Sequence, residues 1–183
     1  MTEHRATSAS RPLPVHRSRG VRIQPPVSVA VEYTQALDAT PDEAFELLCP
    51  VREAEWVPGW RPSTVLSESG LVERDCVFVT PDAEATGGEP REATWVVTEH
   101  DAGARRVEML KLSPGYLVTR LRIDVARAGA GSTAHVRYRY TALGPDGEAF
   151  VRDWTAERWS EFMQSWETNL NEFLRHARSR RLG

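Results

Sequence analysis

Hydrophobic and polar residues alternate over residues 27–37, with valines and a tyrosine on one side and serine, glutamate and threonine on the other. A period of two residues is typical of a strand with one buried face. The next residues have the pattern of a helix start. Thr40 suits the N-cap, Pro41 the first helical position, and Glu43 the position that closes a capping box.

The first helix has an apolar side formed by Phe45, Leu47 and Leu48. It is predicted to end near Pro50, because a proline disfavours helical backbone at the residue before it. A second short helix is predicted over Val51–Trp56, and the following Pro58-Gly59 pair is typical of a turn.

Six further strands are predicted after these helices, because short alternating segments are separated by turn signals rich in glycine and proline. Their spacing favours an antiparallel meander, in which the loop at Gly87-Gly88 is one connection. The predicted strands are Ser63–Ser69, Cys76–Thr80, Thr94–His100, Arg106–Leu112, Tyr116–Ala126 and Thr133–Leu143.

The pattern changes to a helical period after the turn predicted at residues 144–147. From about Glu148, apolar residues recur at steps of three and four for nearly thirty residues, which spans about 40 Å. Arginines are concentrated in the C-terminal end, over residues 175–181, where they suit the helix dipole. A helix of this length needs a long partner surface, and the predicted sheet is the one available.

Composition limits the classes of partner more than it defines one. The 183 residues suffice for one domain, and the formal net charge of −3 gives no general attraction to nucleic acid or membrane. No apolar run approaches the roughly 18 residues of a membrane span. Residues 1–26 carry five arginines and four prolines without an apolar period, which predicts a disordered basic tail. Residues 178–183 form a second basic end.

Two cysteines, Cys49 and Cys76, are too few for a disulfide scaffold, so a reduced, cytoplasmic protein is expected. The cysteines and five scattered histidines show no ligand spacing, so the sequence predicts neither a metal site nor a cofactor. Cys49 lies at the C-terminal end of a helix, which would not lower the pKa of a thiol. A buried structural cysteine is therefore the preferred interpretation over a nucleophile, and its role stays open.

The segment from Cys49 to Trp60 has the most unusual composition in the chain, with two tryptophans and two prolines in twelve residues. Large aromatic side chains left in water forfeit roughly 1.5–3 kcal/mol each of burial free energy. The segment is therefore expected to pack as a lid. Whether that lid opens over a cavity or only seals a core is left undecided by the pattern.

The order of strand, two short helices, six strands and a long C-terminal helix resembles the helix-grip fold of the START-like, or SRPBCC, superfamily. The resemblance covers residues 27–177, and the segment 49–60 with Ser67-Glu68-Ser69-Gly70 and Cys76-Val77-Phe78 is similar to an uncharacterised bacterial subgroup. It implies an α+β domain, in which a curved antiparallel sheet of about seven strands wraps around the C-terminal helix.

The resemblance also implies an apolar cavity between the sheet and the long helix, with the short helices at its rim. The alternative is that the same side chains fill a solid core. The residues expected to contact a ligand in the cavity are Trp56, Trp60, Trp95, Met109, Leu121, Tyr138, Tyr140, Trp154, Phe162 and Trp166.

Three functions follow from this resemblance. The preferred one is binding of a hydrophobic small molecule. The second is a cyclase- or aromatase-like enzyme acting on a polyketide-type substrate, for which Glu53 and Tyr138 are weak catalytic candidates. The third is a protein-interaction module of the Hsp90-activator type, which would have a solid core and an exposed apolar patch. Ligand identity and oligomeric state do not follow from the sequence.

Overall fold

Seven antiparallel strands form one curved sheet in the computed structural model, which describes residues 23–82 and 92–182. Their order across the sheet is β1-β7-β6-β5-β4-β3-β2. The strands are β1 (Ser28–Leu37), β2 (Thr64–Leu66), β3 (Val77–Pro81), β4 (Glu92–Asp101), β5 (Arg106–Ser113), β6 (Leu117–Ala128) and β7 (Gly131–Ala142). The prediction of a first strand and six later ones in an antiparallel meander is thus confirmed.

Four helices complete the fold: α1 (Pro41–Leu47), α2 (Pro50–Glu53), α3 (Pro145–Asp153) and α4 (Ala156–Leu182). The predicted α+β helix-grip arrangement, with two short helices after the first strand and a long C-terminal helix, is confirmed. None of the described helices is long and apolar enough to cross a membrane. Residues 1–22 of the predicted tail lie outside the described residues. The predicted Gly87-Gly88 loop also lies outside them.

The predicted capping box at the start of α1 is present. The backbone N–H of Glu43 donates to the Thr40 hydroxyl at 3.4 Å, and the Thr40 N–H donates to the Glu43 carboxylate at 3.1 Å. These bonds satisfy backbone groups that have no partner inside the helix. They fix the angle at which the chain leaves β1, and so place the segment that follows.

The prediction of one continuous helix from about Glu148 is wrong, and so is the turn expected at residues 144–147. The chain forms α3 from Pro145, becomes extended at Trp154 (φ −79°, ψ 111°), and restarts as α4. Thr155 starts the second helix, because its hydroxyl accepts from the Arg158 N–H at 3.3 Å. The break allows α3 to lie against β7 while α4 runs along the sheet.

Polar contacts attach α4 to the end of β1. Asn171 donates from its side-chain amide to the Ala36 carbonyl at 2.9 Å, and its oxygen accepts from the Asp38 N–H at 2.8 Å. Gln35, which is buried, donates to the Met163 carbonyl at 3.3 Å. Beside these contacts the inward residues of the central strands and the inner face of α4 form the apolar core. The helix is thereby held at one end of the sheet, and the space at the other end belongs to the cavity.

Candidate ligand-binding cavity

A cavity of about 740 Å³ lies between the inner face of the sheet, the segment after α1, and the two C-terminal helices. The sheet contributes residues from β3, β4, β5, β6 and β7, and α3 and α4 close the opposite side. This volume favours an open cavity over a solid core, the alternative left open by the sequence.

Aromatic rings form most of the wall at the β3 and β4 side. Phe78 and Trp95 stand opposite each other on neighbouring strands, and their rings stack at 5.4 Å and 10°. Trp60 approaches both edge-on, at 6.4 and 6.1 Å. Offset stacks and edge contacts are the arrangements that aromatic pairs prefer. The rings therefore hold each other in place and present a preformed surface.

A second group of rings comes from the break between α3 and α4. Phe150 and Trp154 stack at 4.9 Å, and Tyr138 on β7 lies near the same region of the wall. Phe162 and Trp166 follow on the inner face of α4, with ring centroids 5.6 Å apart. The extended backbone at Trp154 is what allows an α3 ring and the α4 rings to face one space.

The two tryptophans of the segment 49–60 donate hydrogen bonds to nearby backbone carbonyls. The indole N–H of Trp56 donates to the Leu47 carbonyl at 2.9 Å, and that of Trp60 donates to the Pro50 carbonyl at 2.7 Å. Trp60 then faces the cavity, whereas Trp56 packs edge-on against Trp166 at 5.4 Å. The segment therefore lies over the cavity as a lid, with Trp56 fixed to the end of α1 and Trp60 fixed to the start of α2.

Eight of the ten residues predicted to contact a ligand line the cavity. These are Trp60, Trp95, Met109, Leu121, Tyr138, Trp154, Phe162 and Trp166. Trp56 and Tyr140 do not line it. Tyr140 is fully buried behind the wall, where its ring contacts Phe150 and Trp154. The placement in the wall is a geometric result, and contact with a ligand stays a prediction.

Glu53 is the polar residue of the wall with the most unusual environment. It lies in the single turn of α2, is 4% exposed and faces the cavity, while its neighbours Arg52 and Glu55 form an ion pair at 2.7 Å on the outer side. Burial raises its pKa to about 8, and among the described residues no group donates a hydrogen bond to it. Burial therefore favours the neutral form of this carboxyl group at pH 7.

Lys111 is a wall residue that sequence reasoning missed. It is buried on β5, and its ammonium group lies 2.8 Å from the buried carboxylate of Asp82 and 5.6 Å from the centre of the Trp95 ring. The pair places a charged contact on the wall beside the stacked rings. Because Lys111 follows Met109 by two residues, the period of a strand would have placed both on the inner face.

The inward position of Lys111 was hard to predict because β5 carries Leu110 and Leu112 on its outer face, where Leu112 is 44% exposed. By hydropathy alone these leucines would point inward and Lys111 outward. Pairing with β4 and β6 decides otherwise, since Lys111 stands opposite Trp95 and Thr119, both buried.

The described cysteines and histidines form neither a catalytic site nor a metal site. Cys49 is buried, and its sulfur accepts from the Val72 N–H at 3.2 Å, which is a packing role. His100 stacks on Phe45 at 5.3 Å, and burial lowers its pKa. Within residues 23–82 and 92–182, no three histidine, cysteine, aspartate or glutamate side chains are grouped as metal ligands.

No family model matches the chain, and no curated protein matches it in sequence. Solved structures do match its fold. Norcoclaurine synthase from Thalictrum flavum is similar in a complex with a transition-state analogue, at 14% identity and a TM-score of 0.61, over 85% of this chain and 99% of that one. In a complex of the same enzyme with dopamine and hydroxybenzaldehyde, the values are 12%, 0.57, 85% and 98%.

Two other solved structures show the same similarity. Ara h 8.0201 has 12% identity and a TM-score of 0.55 over 80% of this chain and 97% of its own. DynU16, from the dynemicin biosynthetic locus, has 15% identity and a TM-score of 0.52, over 80% of this chain and 47% of its own. The chain therefore has a helix-grip fold of the START-like, or SRPBCC, type.

Proposed function

We propose that the protein binds a hydrophobic small molecule in the cavity between the sheet and α4. The observation that carries this proposal is a wall of aromatic rings around a volume of about 740 Å³. Cavities of roughly 300–1,000 Å³ with mostly apolar walls and a few polar groups are typical small-molecule sites. An apolar space of this size is also costly unless a ligand or solvent fills it.

The walls favour a flat, ring-containing ligand. Phe78 and Trp95 present stacked ring surfaces at one side, and Phe150 and Trp154 present them at the other. Aromatic ligands gain from such surfaces beyond simple burial of area. The complex of norcoclaurine synthase with dopamine and hydroxybenzaldehyde, two small aromatic molecules, supports the same class of ligand.

The proposal is tested with variants that fill the cavity. Met109 and Leu121 stand opposite each other on β5 and β6 and both line the wall. In the Met109→Trp/Leu121→Trp variant we expect binding of 2-(2-naphthyl)ethanol to weaken at least about tenfold, since two rings then occupy the space. Isothermal titration calorimetry measures the affinity, and native mass spectrometry of the purified protein detects any retained ligand.

The matched control changes the neighbouring pair on the outer face of the same strands. Leu110 stands opposite Arg120, and neither lines the cavity. The Leu110→Trp/Arg120→Trp variant should bind the probe as the unchanged protein does. The proposal fails if the unchanged protein retains no ligand and binds no ring-containing probe, or if both variants weaken binding equally.

Acid–base catalysis on the bound molecule is a second candidate function, favoured by the raised pKa of Glu53 and the presence of Tyr138 in the same wall. A carboxyl group that titrates near neutral pH suits general acid–base work. The test is exchange of the methyl protons of 2-acetylnaphthalene in D₂O, followed by mass spectrometry. We expect faster exchange with the unchanged protein than with Glu53→Gln, and equal rates would exclude this role for Glu53.

The protein-interaction alternative has less support. It was expected to show a solid core, whereas the space between sheet and α4 is open. The cavity therefore favours a small molecule as the partner.

A further inference from the structure

Glu53 is a buried carboxyl group without a counterion. It is 4% exposed and lines the cavity, and no ion pair or hydrogen bond reaches its carboxyl group from any described residue. Buried carboxyl groups normally have a partner, because removing one from water without compensation is costly. Because Glu53 lines the cavity, a molecule bound there would meet this carboxyl group.

The cations of the cavity wall are directed to other groups. Lys111 on β5 is paired with Asp82 at 2.8 Å. Arg158 on α4 lies over the Trp154 ring at 5.3 Å and donates to the Asp153 carbonyl at 3.4 Å. Arg61, which follows α2, is exposed to solvent and its charge is screened there.

The remaining titratable or charged groups near Glu53 do not provide a partner either. Tyr138 on β7 lines the same cavity, and Arg52 on α2 itself is paired with Glu55. Burial alone accounts for the raised pKa of Glu53, and no charge on any of these elements contributes to it. Among the described residues, Glu53 therefore has no cationic partner that would stabilise its ionised form.

The aromatic rings of the same cavity favour a cation as well. The cavity wall contains eight aromatic side chains, and the faces of aromatic rings attract ammonium groups through the ring quadrupole. They are Trp60, Phe78, Trp95, Tyr138, Phe150, Trp154, Phe162 and Trp166. An apolar, ring-lined space with one unpaired carboxyl group is suited to a molecule that is mostly hydrophobic and carries one positive charge.

We infer that the ligand of this cavity is a hydrophobic amine, whose ammonium group is held by the Glu53 carboxylate and by the surrounding aromatic rings. This inference rests on the proposed function and names the chemical class of its ligand. A ketone or alcohol would instead take a hydrogen bond from the neutral acid. The two cases differ in how affinity depends on pH.

The sign of that dependence follows from the proton on Glu53. Its pKa is about 8 in the folded protein, so at pH 6 and 7 the group must lose a proton before it pairs with an ammonium group. Affinity for an amine therefore rises about tenfold per pH unit up to pH 8 and then levels off, while an alkylamine stays charged to about pH 10. Binding below pH 8 releases one proton.

The experiment compares 2-(2-naphthyl)ethylamine with 2-(2-naphthyl)ethanol, which share the ring system and chain length, by calorimetry at pH 6, 7, 8 and 9. At pH 9 we expect the amine to bind at least about tenfold more tightly, since a charge-assisted hydrogen bond replaces a neutral one. Titration at pH 7 in buffers of different ionisation enthalpy should show release of one proton for the amine and none for the alcohol.

Two variants assign the effect to one carboxyl group. Glu53→Gln keeps the shape of the side chain and should remove both the preference for the amine and its pH dependence. Glu55→Gln changes an exposed carboxylate two residues away and should preserve both. A preference that persists in Glu53→Gln overturns the inference.

The outcome also separates this inference from the proposed function. If both probes bind equally, or if the alcohol binds better and weakens above pH 8, the inference fails and hydrophobic binding stands. If neither probe binds at any pH, the inference and the proposed function fail together.

Discussion

At the scale of single residues, the carboxyl group of Glu53 links folding to pH. Its ordinary pKa is 4.5, and burial raises the pKa to about 8 in the folded chain. Between these values the unfolded chain has lost the proton and the folded chain retains it. The free energy of unfolding therefore decreases as pH rises from about 4.5 to 8. Above pH 8 the decrease is complete, because the carboxyl group is ionised in both states.

We predict that Glu53→Gln removes this cost. The variant should be close to the unchanged protein in stability at pH 4.5 and more stable at pH 9, by up to roughly 4–5 kcal/mol. Urea unfolding at both pH values measures the difference. Glu55→Gln, an exposed change, should stay within about 0.5 kcal/mol throughout. A difference between Glu53→Gln and the unchanged protein that is constant across pH would show that the carboxyl group is not buried in its neutral form.

Lys111 provides a second prediction at this scale. Replacing it with methionine leaves the Asp82 carboxylate, whose side chain is 0% exposed, without its 2.8 Å ion pair. We expect Lys111→Met to destabilise the fold by about 3–5 kcal/mol, because removing one partner of a buried ion pair is costly. The double variant Lys111→Met/Asp82→Leu should recover most of that loss in urea unfolding. Equal destabilisation by the single and double variants would contradict a buried ion pair.

The sequence contained part of this information. Glu53 was named as a candidate, but its burial depends on which face of one helical turn meets the cavity, and Arg52 and Glu55 on the same turn face solvent. Lys111 was missed because outward leucines on the same strand mask its inward position. Single-residue environments of this kind are decided by strand pairing and packing, which hydropathy does not encode.

At the scale of elements, α3 is held in place by a glycine. A Cβ atom at Gly147 would lie 2.0 Å from the Tyr116 carbonyl oxygen and 3.0 Å from its carbon. The helix therefore approaches the backbone before β6 more closely than a side chain allows. This approach positions Phe150 and Trp154 for the cavity wall.

We predict that Gly147→Ala destabilises the protein by about 2–3 kcal/mol, since α3 must move away from the sheet. Gly103→Ala, in the exposed β4–β5 turn, would meet only a side-chain oxygen at 3.4 Å and should stay within about 0.5 kcal/mol. Thermal unfolding of the two variants makes the comparison. Equal stability of both would mean that α3 is not packed this closely.

Elements were predicted well where local rules apply. The capping box at Thr40 and the alternation of β6 and β7 are local signals, and both are present in the fold. The break between α3 and α4 was missed, although Thr155 is a suitable N-cap, because Val151, Trp154 and Phe162 fall on one face of a continuous helix. Periodicity reports which side is buried and does not report whether the backbone stays helical.

At the scale of the whole molecule, the order of elements along the chain was enough to predict the architecture, because short antiparallel connections leave few arrangements for a long helix. The cavity was harder to predict from the sequence. The apolar residues that line it, such as Leu121 and Phe162, have the pattern of a solid core, and only their three-dimensional separation leaves a space. Volume is a property of the assembled layers.

Occupancy of that space should stabilise the whole molecule. A ligand present at about one hundred times its dissociation constant adds about 2.7 kcal/mol, which corresponds to a rise of roughly 5–10 °C in the melting temperature. Differential scanning calorimetry with 2-(2-naphthyl)ethylamine at pH 9 measures this shift. The Met109→Trp/Leu121→Trp variant should show little of it, and a full shift in that variant would place the binding site elsewhere.

The aromatic wall has an optical consequence. Four of the six tryptophans line the cavity, and the other two, Trp56 and Trp159, contact rings that do so. Nearly all of the ultraviolet emission of this protein therefore originates within one or two ring contacts of the cavity. The emission should respond to the filling and emptying of the cavity, so the native protein carries its own unlabelled sensor of what it holds.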